Sequence, residues 1–347
     1  MQDKPYVRPL DIRRGKIEML HGAGGKASAQ LIASLFAKHF TNEWLDAGDD
    51  GARLPAPDGE IVLATDSHVV SPLFFPGGDI GALSIHGTVN DVAVMGARPL
   101  YIACGFILEE GFPLSDLERI VVSMAQAAGK AGVAVVTGDT KVVERGKADG
   151  CFINTTGVGV LPAGVRLSGA AVRPGDVVAV SGFIGEHGVA VMASRDNLTF
   201  ATSVRSDTAS LETLARRLVE EVPSLRCMRD PTRGGLGTTL NEIARQSGVG
   251  IEIDEEALPV SEEVASACEF LGLDPLYVAN EGKLIAFCAP EDEKRLLEAM
   301  RADPLGSRAR VIGRVVEDEN RFVVMRTAFG GKRMVDYLAG DQLPRIC

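Results

Sequence analysis

Carboxylates are the first residues in this chain that suggest chemistry. Asp49 and Asp50 stand in AGDDGARL, Asp66 in LATDSHVVSP, Asp91 in TVNDVAVMGA, Asp139 in VTGDTKVV and Asp230 in RDPTRGG. Each falls beside a turn or an element end rather than on a long solvated face. Asp66 and Asp139 follow apolar, strand-like runs, where loop residues are commonly placed for function. Asp91 interrupts an apolar helical pattern, a poor place for an unpaired charge. Taken singly, each reads as a cap, a turn former or an ion-pair partner. Together they point toward a divalent cation, because hard ions prefer oxygen ligands and commonly arrive with phosphates. Lys141, two positions after Asp139, is placed to touch a phosphate or a substrate. Glu281, in ANEGKLIAF, directly precedes an apolar strand and is a candidate base. An exposed ion pair is the ordinary fate of both residue types. His21, His68, His86 and His187 show neither zinc-ligand nor triad spacing and read as structural.

Glycine-rich turns are the second signal. HGAGGK (21–26) precedes the helical pattern AQLIASLFAKHF and offers backbone N–H groups to phosphate. It is not a Walker A loop, since the first glycine is missing and Ala27 follows the lysine. SGFIGEHG (181–188) sits between a strand and a helix, and RGGLG (233–237) opens a helix. Any one of these reads equally well as a tight turn. No GxSxG occurs, so a nucleophile-elbow hydrolase has no support.

Six cysteines lie at 104, 151, 227, 268, 288 and 347 without a CxxC pair, so reduced thiols are expected. Five stand in or beside apolar stretches as small core residues. Cys347 is the last residue. Pro344 bars helix and biases Leu343 toward extended backbone, so Gly340–Cys347 reads as an extended tail able to span roughly 23 Å. A cysteine at the very end is not a prenylation signal.

The elements that must position these groups alternate between strand and helix periods. Strands are expected near 61–65, 101–108, 133–137 and 151–161, with helices near 78–95 and 115–131. After the turn-rich stretch LPAGVRLSGAAVRPGD (161–176) come a strand at 177–180 and helices near 185–194, 208–220, 234–247 and 261–271. Strands near 283–288, 310–316 and 321–325 follow. Two α/β or α+β domains result, and periodicity does not choose between those classes. The 347 residues fit about two domains. Hydrophobic residues at 46% and charged residues at 24% exclude whole-chain disorder. A formal charge of −11 argues against sequence-independent nucleic-acid binding. No apolar run approaches the roughly 18 residues of a membrane helix, and the N-terminus lacks a secretory apolar centre, so a cytoplasmic location is expected.

In order, HGAGGK, GDDGAR, TDSHVVSP, VNDVAVMGA, TGDTKVV, MRDPTRGG, ANEGKL and the terminal PRIC resemble the hydrogenase maturation protein HypE family, the carbamoyl dehydratases. The internal acidic motifs are shared with the wider group containing aminoimidazole ribonucleotide synthetase, selenophosphate synthetase and thiamine monophosphate kinase; PRIC singles out the HypE family. A basic arm (1–16) departs from the pattern. The resemblance implies an α+β, aminoimidazole-ribonucleotide-synthetase-like fold. Residues 1–165 would form an ATP- and magnesium-binding domain whose sheet dimerises, 166–339 a second α+β domain, and 340–347 a flexible tail. It implies ATP and Mg2+ as cofactors. Asp50, Asp66, Asn90, Asp91, Gly138, Asp139 and Asp230 would bind the cofactor, with Asp50, Asp66, Asp91, Asp139 and Asp230 on the metal. The implied reaction is ATP-dependent dehydration of an S-carboxamide on Cys347 to a thiocyanate, the source of cyanide for [NiFe]-hydrogenase. Glu281 would be the base, and Lys141 would hold the amide or phosphate. Implied partners are a second copy, the carbamoyltransferase HypF and the HypC–HypD complex. A small-molecule kinase or synthetase of the same fold, and a nucleotide-sensing scaffold, are the competing expectations.

Overall fold

A computed structural model describes residues 10–195, 203–338, 340 and 345–347. The first domain is a four-stranded sheet: β1 (Glu60–His68), β2 (Arg98–Glu109), β3 (Ala134–Val143) and β4 (Cys151–Leu161), in the order β1-β4-β2-β3. β4 runs antiparallel to β1 and β2, while β2 and β3 are parallel. Helices α1 (Ile80–Val94) and α2 (Leu114–Ala131) cover one face. Asp79 caps α1 by accepting from the N–H groups of Gly81 and Ala82, supplying orphan donors of the first turn with a partner. At the far end of α2, Gly132 takes the left-handed conformation that closes many helices. Two glycines of β4 let α1 lie close on the sheet: a Cβ at Gly157 would stand 2.7 Å from Thr88, and one at Gly159 would collide with Val92. The opposite face is open, leaving Ile61, Leu63 and Ile107 exposed.

The second domain is a seven-stranded, mostly antiparallel sheet. Its strands are β5 (Val177–Val180), β6 (Leu225–Arg229), β7 (Gly250–Asp254), β8 (Ile285–Cys288), β9 (Arg310–Val316), β10 (Val323–Arg326) and β11 (Lys332–Val335), ordered β11-β10-β7-β9-β5-β8-β6. Helices α3 (Glu186–Ala193), α4 (Glu212–Glu221), α5 (Gly235–Ser247), α6 (Glu262–Leu271) and α7 (Glu293–Arg301) surround it. All four residues of β5 are buried; Val178 and Val180 join one apolar cluster with α5, Val177 and Ala179 another with α4 and α7. That two-sided burial is why the segment reads as an unbroken apolar run.

The expected strands and helices up to 194 are present within a few residues, except that β3 runs six residues past its expected end and so carries Asp139 and Lys141. The pattern following HGAGGK does not form one regular helix, however: Lys26–Leu31 is α-helical and Ile32–Phe36 widens to a π-helix. Strands β6, β7 and β11 and helix α7 were not expected. β6 reads LRCMR and β11 reads KRMV, with charged residues that mask the strand signal. The basic arm lies largely outside the described residues, as do most of residues 340–344. No helix among the described residues is long and apolar enough to cross a membrane.

Candidate functional site

Three carboxylates, a glutamate and the chain end meet where the two domains face each other. Asp66 is near the end of β1, with Oδ2 3.7 Å from Nε2 of buried His68. Gly87 of α1 permits this approach, because a Cβ there would sit 3.3 Å from that oxygen. One helical turn further, Asp91 leaves the same helix toward the cleft. Asp230 enters from the opposite side, just after β6. Burial, reinforced by the charges of Asp230 and Asp66, pushes Asp91 up to about 7 despite Arg229 and Arg233. Burial also lifts Asp230 to about 6. Such strained carboxylates are what a cation would relieve.

Glu281 is buried to 3% exposure, and its Oε1 has no hydrogen-bond partner. Burial first, then the charges of Asp207, Asp230, Asp66 and Asp91, raise its carboxyl well above the usual range. Its backbone, by contrast, is fixed. Asp207 accepts from the N–H groups of Glu281 and Gly282 at 3.1 and 3.2 Å and pairs with Lys283 at 3.1 Å. Asn90 donates to the carbonyls of Glu281 and Ala209 and accepts from the N–H of Leu211. Asn90 thus spends its side-chain amide on tying α1 to the second domain.

Cys347 completes the group. It lines a cavity of about 360 Å³ together with Val69, Arg233, Gly234, Tyr277 and Ala279. Burial, then Glu281, push the thiol up to about 12, opposed by Arg233 and aided by Asp66. The extended tail therefore has a seated end: Ile346 is only 3% exposed and joins an apolar cluster built from both domains, with α3 and α6 of the second among its contributors.

The remaining expected residues lie elsewhere. Asp139 and Lys141 are on β3, exposed and joined to each other at 2.6 Å, which lowers the Asp139 carboxyl. The register Ser67↔Asn154, Gly105↔Asn154 and Gly105↔Asp139 puts Asp139 three strands from Ser67, about 14 Å at about 4.8 Å per strand. Alternation turns Asp139 to the open face, away from the α1 side where Asp66 points. Gly138, Asp139 and Lys141 instead border a second cavity of about 250 Å³, floored by Phe36, Phe40 and Cys104 and edged by His21 and Gly24. Gly22 brings the HGAGGK segment against β3, where a Cβ would lie 2.8 Å from the Val142 nitrogen. Asp50 is exposed in the loop before β1. One chain therefore gathers Asp66, Asp91, Asp230, Glu281 and Cys347, and leaves Asp50, Asp139 and Lys141 apart. Among the described residues, no three His, Cys, Asp or Glu side chains converge as a preformed metal site.

Arg233, Asp207 and Lys283 were not singled out from sequence. Arg233 stood in the quoted RDPTRGG, and its pairing of a cation with the acidic residue was the available signal. Asp207 carries no local signal, since its partners lie more than seventy residues away.

The two halves match AIR synthase related protein domains: the N-terminal domain over residues 48–161 and the C-terminal domain over 173–326. Fold and cleft thus define an AIR synthase-type protein. Within that class, the chain is 64% identical over 338 residues to carbamoyl dehydratase HypE of Azotobacter vinelandii, covering 97% of this chain and 99% of that protein. A crystal structure of hydrogenase maturation protein HypE in complex with ATP superposes with a TM-score of 0.91 at 50% identity, covering 95% of this chain and 99% of the other. HypE in a HypE–HypF complex matches at 0.78 and 49% identity, covering 89% and 99%. The chain belongs to the carbamoyl dehydratase HypE family of hydrogenase maturation enzymes.

Proposed function

We propose that this chain binds ATP and dehydrates an S-carboxamide carried on its own Cys347 to a thiocyanate, for the cyanide ligands of [NiFe]-hydrogenase. The observation that carries this reading is the chain end seated in the acidic cleft, within the electrostatic reach of Glu281. Loss of water from R–S–C(=O)NH2 removes one oxygen and two N–H protons and leaves R–S–C≡N. ATP supplies a phosphoryl group that turns the amide oxygen into a leaving group, and a bound Mg2+ would neutralise charge on the phosphates.

Asp66, Asp91 and Asp230 would hold the magnesium. Their donor chemistry fits a hard cation, and magnesium keeps waters and phosphate oxygens among its ligands, so a complete protein cage is not required. Glu281 takes an N–H proton: its orphaned Oε1 is free to accept, and its raised affinity for protons makes it a stronger base than a solvated carboxylate. Tethering makes the reaction intramolecular. Arg233, exposed beside the cavity, offers a positive charge to the transferred phosphoryl group.

Asp50, Asp139, Lys141 and Gly138 serve the nucleotide and the amide across a homodimer. Support comes from the open, apolar sheet face that carries Asp139 and Lys141, which a second copy would cover. Cys347 receives its cargo from HypF and delivers it to a HypC–HypD complex. Both steps need the tail to leave the cleft, and the first also needs a thiolate, which the seated thiol, pushed up to about 12, does not supply.

Mass spectrometry of the carbamoylated protein before and after ATP tests the reading. Loss of one water from the Cys347 peptide is expected; an unchanged mass would reject it. Turnover of a diffusible substrate by Cys347→Ala would instead favour a small-molecule kinase.

A further inference from the structure

SGFIGEHG contains a histidine that the proposed chemistry does not use. His187, in the first turn of α3, is completely buried, and both ring nitrogens are engaged at 2.7 Å. Nε2 faces the carbonyl of Ile346, and Nδ1 faces Oγ of Ser206. A carbonyl accepts only, so Nε2 carries the hydrogen and Nδ1 accepts from the Ser206 hydroxyl. Ser206 in turn accepts from the N–H of Thr208. The tautomer is therefore fixed by its partners.

The neighbouring carbonyls are read from the other side. The Val69 N–H donates to a terminal carboxylate oxygen of Cys347 at 3.0 Å and the Ser71 N–H to the carbonyl of Arg345 at 3.1 Å. Arg195 also reaches the Arg345 carbonyl, and the Arg345 side chain pairs with Asp149. The first domain thus holds residues 345 and 347 through its backbone, and His187 holds the residue between them from the second domain. Ser206 is directly followed by Asp207, whose carboxylate fixes the backbone N–H groups of Glu281 and Gly282. One short segment, 206–208, therefore ties the seat of the tail to the seat of the base.

We infer that His187, oriented by Ser206, is a positioning residue that docks the chain end through the Ile346 carbonyl and so sets Cys347 against Glu281. This rests on the dehydration reading for its consequence, but the docking is measurable without it.

The test compares wild type, His187→Phe and His187→Gln. Phenylalanine keeps an apolar ring and removes both nitrogens; glutamine can restore a donor toward Ile346. The first readout is the rate at which N-ethylmaleimide alkylates Cys347 in nucleotide-free protein, with buried Cys268 as the reporter of general opening. H187F is expected to speed alkylation of Cys347 about tenfold while Cys268 is unchanged, and H187Q to lie nearer wild type. The second readout is loss of water from the carbamoylated protein with saturating ATP, expected to slow about tenfold in H187F with ATP affinity unaltered. Equal acceleration at Cys268 and Cys347, or wild-type alkylation of Cys347 in H187F, would overturn the assignment. If the wild type lost no water, the dehydration reading would fail, and the alkylation rates would still decide the role of His187.

Discussion

The cleft around Asp66, Asp91 and Asp230 and the rim formed by Asp139 and Lys141 both present aspartates, yet physically they are opposites. On the rim, Asp139 has its counter-ion 2.6 Å away, and solvent surrounds both groups. In the cleft, carboxylates repel one another in partial burial, and Glu281 keeps an unpartnered oxygen. The rim is at rest without a ligand, whereas the cleft holds unrelieved electrostatic strain. Strain of that kind collects where a cation or a proton must be received.

The contrast can be broken most forcefully at Glu281. Glu281→Gln retains the shape and the backbone clamp, and is expected to lower the dehydration rate by about a hundredfold or more. A single-turnover mass-spectrometric assay would measure it, and near-normal turnover would transfer the base to another residue. Next comes Asp91→Asn. Removing one repelled charge should raise the thermal midpoint of magnesium-free protein at pH 7.5 by a few degrees, while magnesium-dependent turnover collapses. A lower midpoint would show that Asp91 is already compensated.

The pH dependence sharpens the same point. Asp91 and Asp230 have folded values near 7 and 6, above the ordinary 3.8. Between about pH 4 and 7 the folded chain binds more protons at these sites than the unfolded chain does. Their contribution to stability is therefore present at low pH and is lost as pH rises to about 7. Urea midpoints in chelator should show a fall over this window that is smaller in Asp91→Asn. An identical fall in both proteins would remove Asp91 as its source. The smallest effect is expected on the rim, where Asp139→Asn should change stability by less than about 0.5 kcal/mol. A larger loss in chemical denaturation would mean that the rim too is structurally committed.

The sequence made the residues that meet in the cleft more conspicuous than the long-range contacts that bring them together. Asp66, Asp91 and Asp230 could be noticed because a charge beside or inside an apolar run is conspicuous, and Cys347 because it ends the chain. Helix and strand periods revealed α1, α2 and β5 for the same reason: burial dictates their residues. What stayed hidden is long-range. Asn90 looked like a cofactor ligand, yet its amide bridges to Ala209, Leu211 and Glu281. His187 looked merely structural because its partner, Ile346, is 159 positions away. The separation of Asp139 from Asp66 depends on the strand order β1-β4-β2-β3, which no local pattern encodes.

The seated thiol also has a consequence for survival. Five cysteines are enclosed by core packing, and the sixth, though at the chain terminus, is protonated and largely enclosed while docked. Oxidation begins when a thiolate in reach of solvent attacks a peroxide or a disulfide. A docked terminus is thereby shielded from oxidative damage, which would be confined to intervals in which the terminus is undocked.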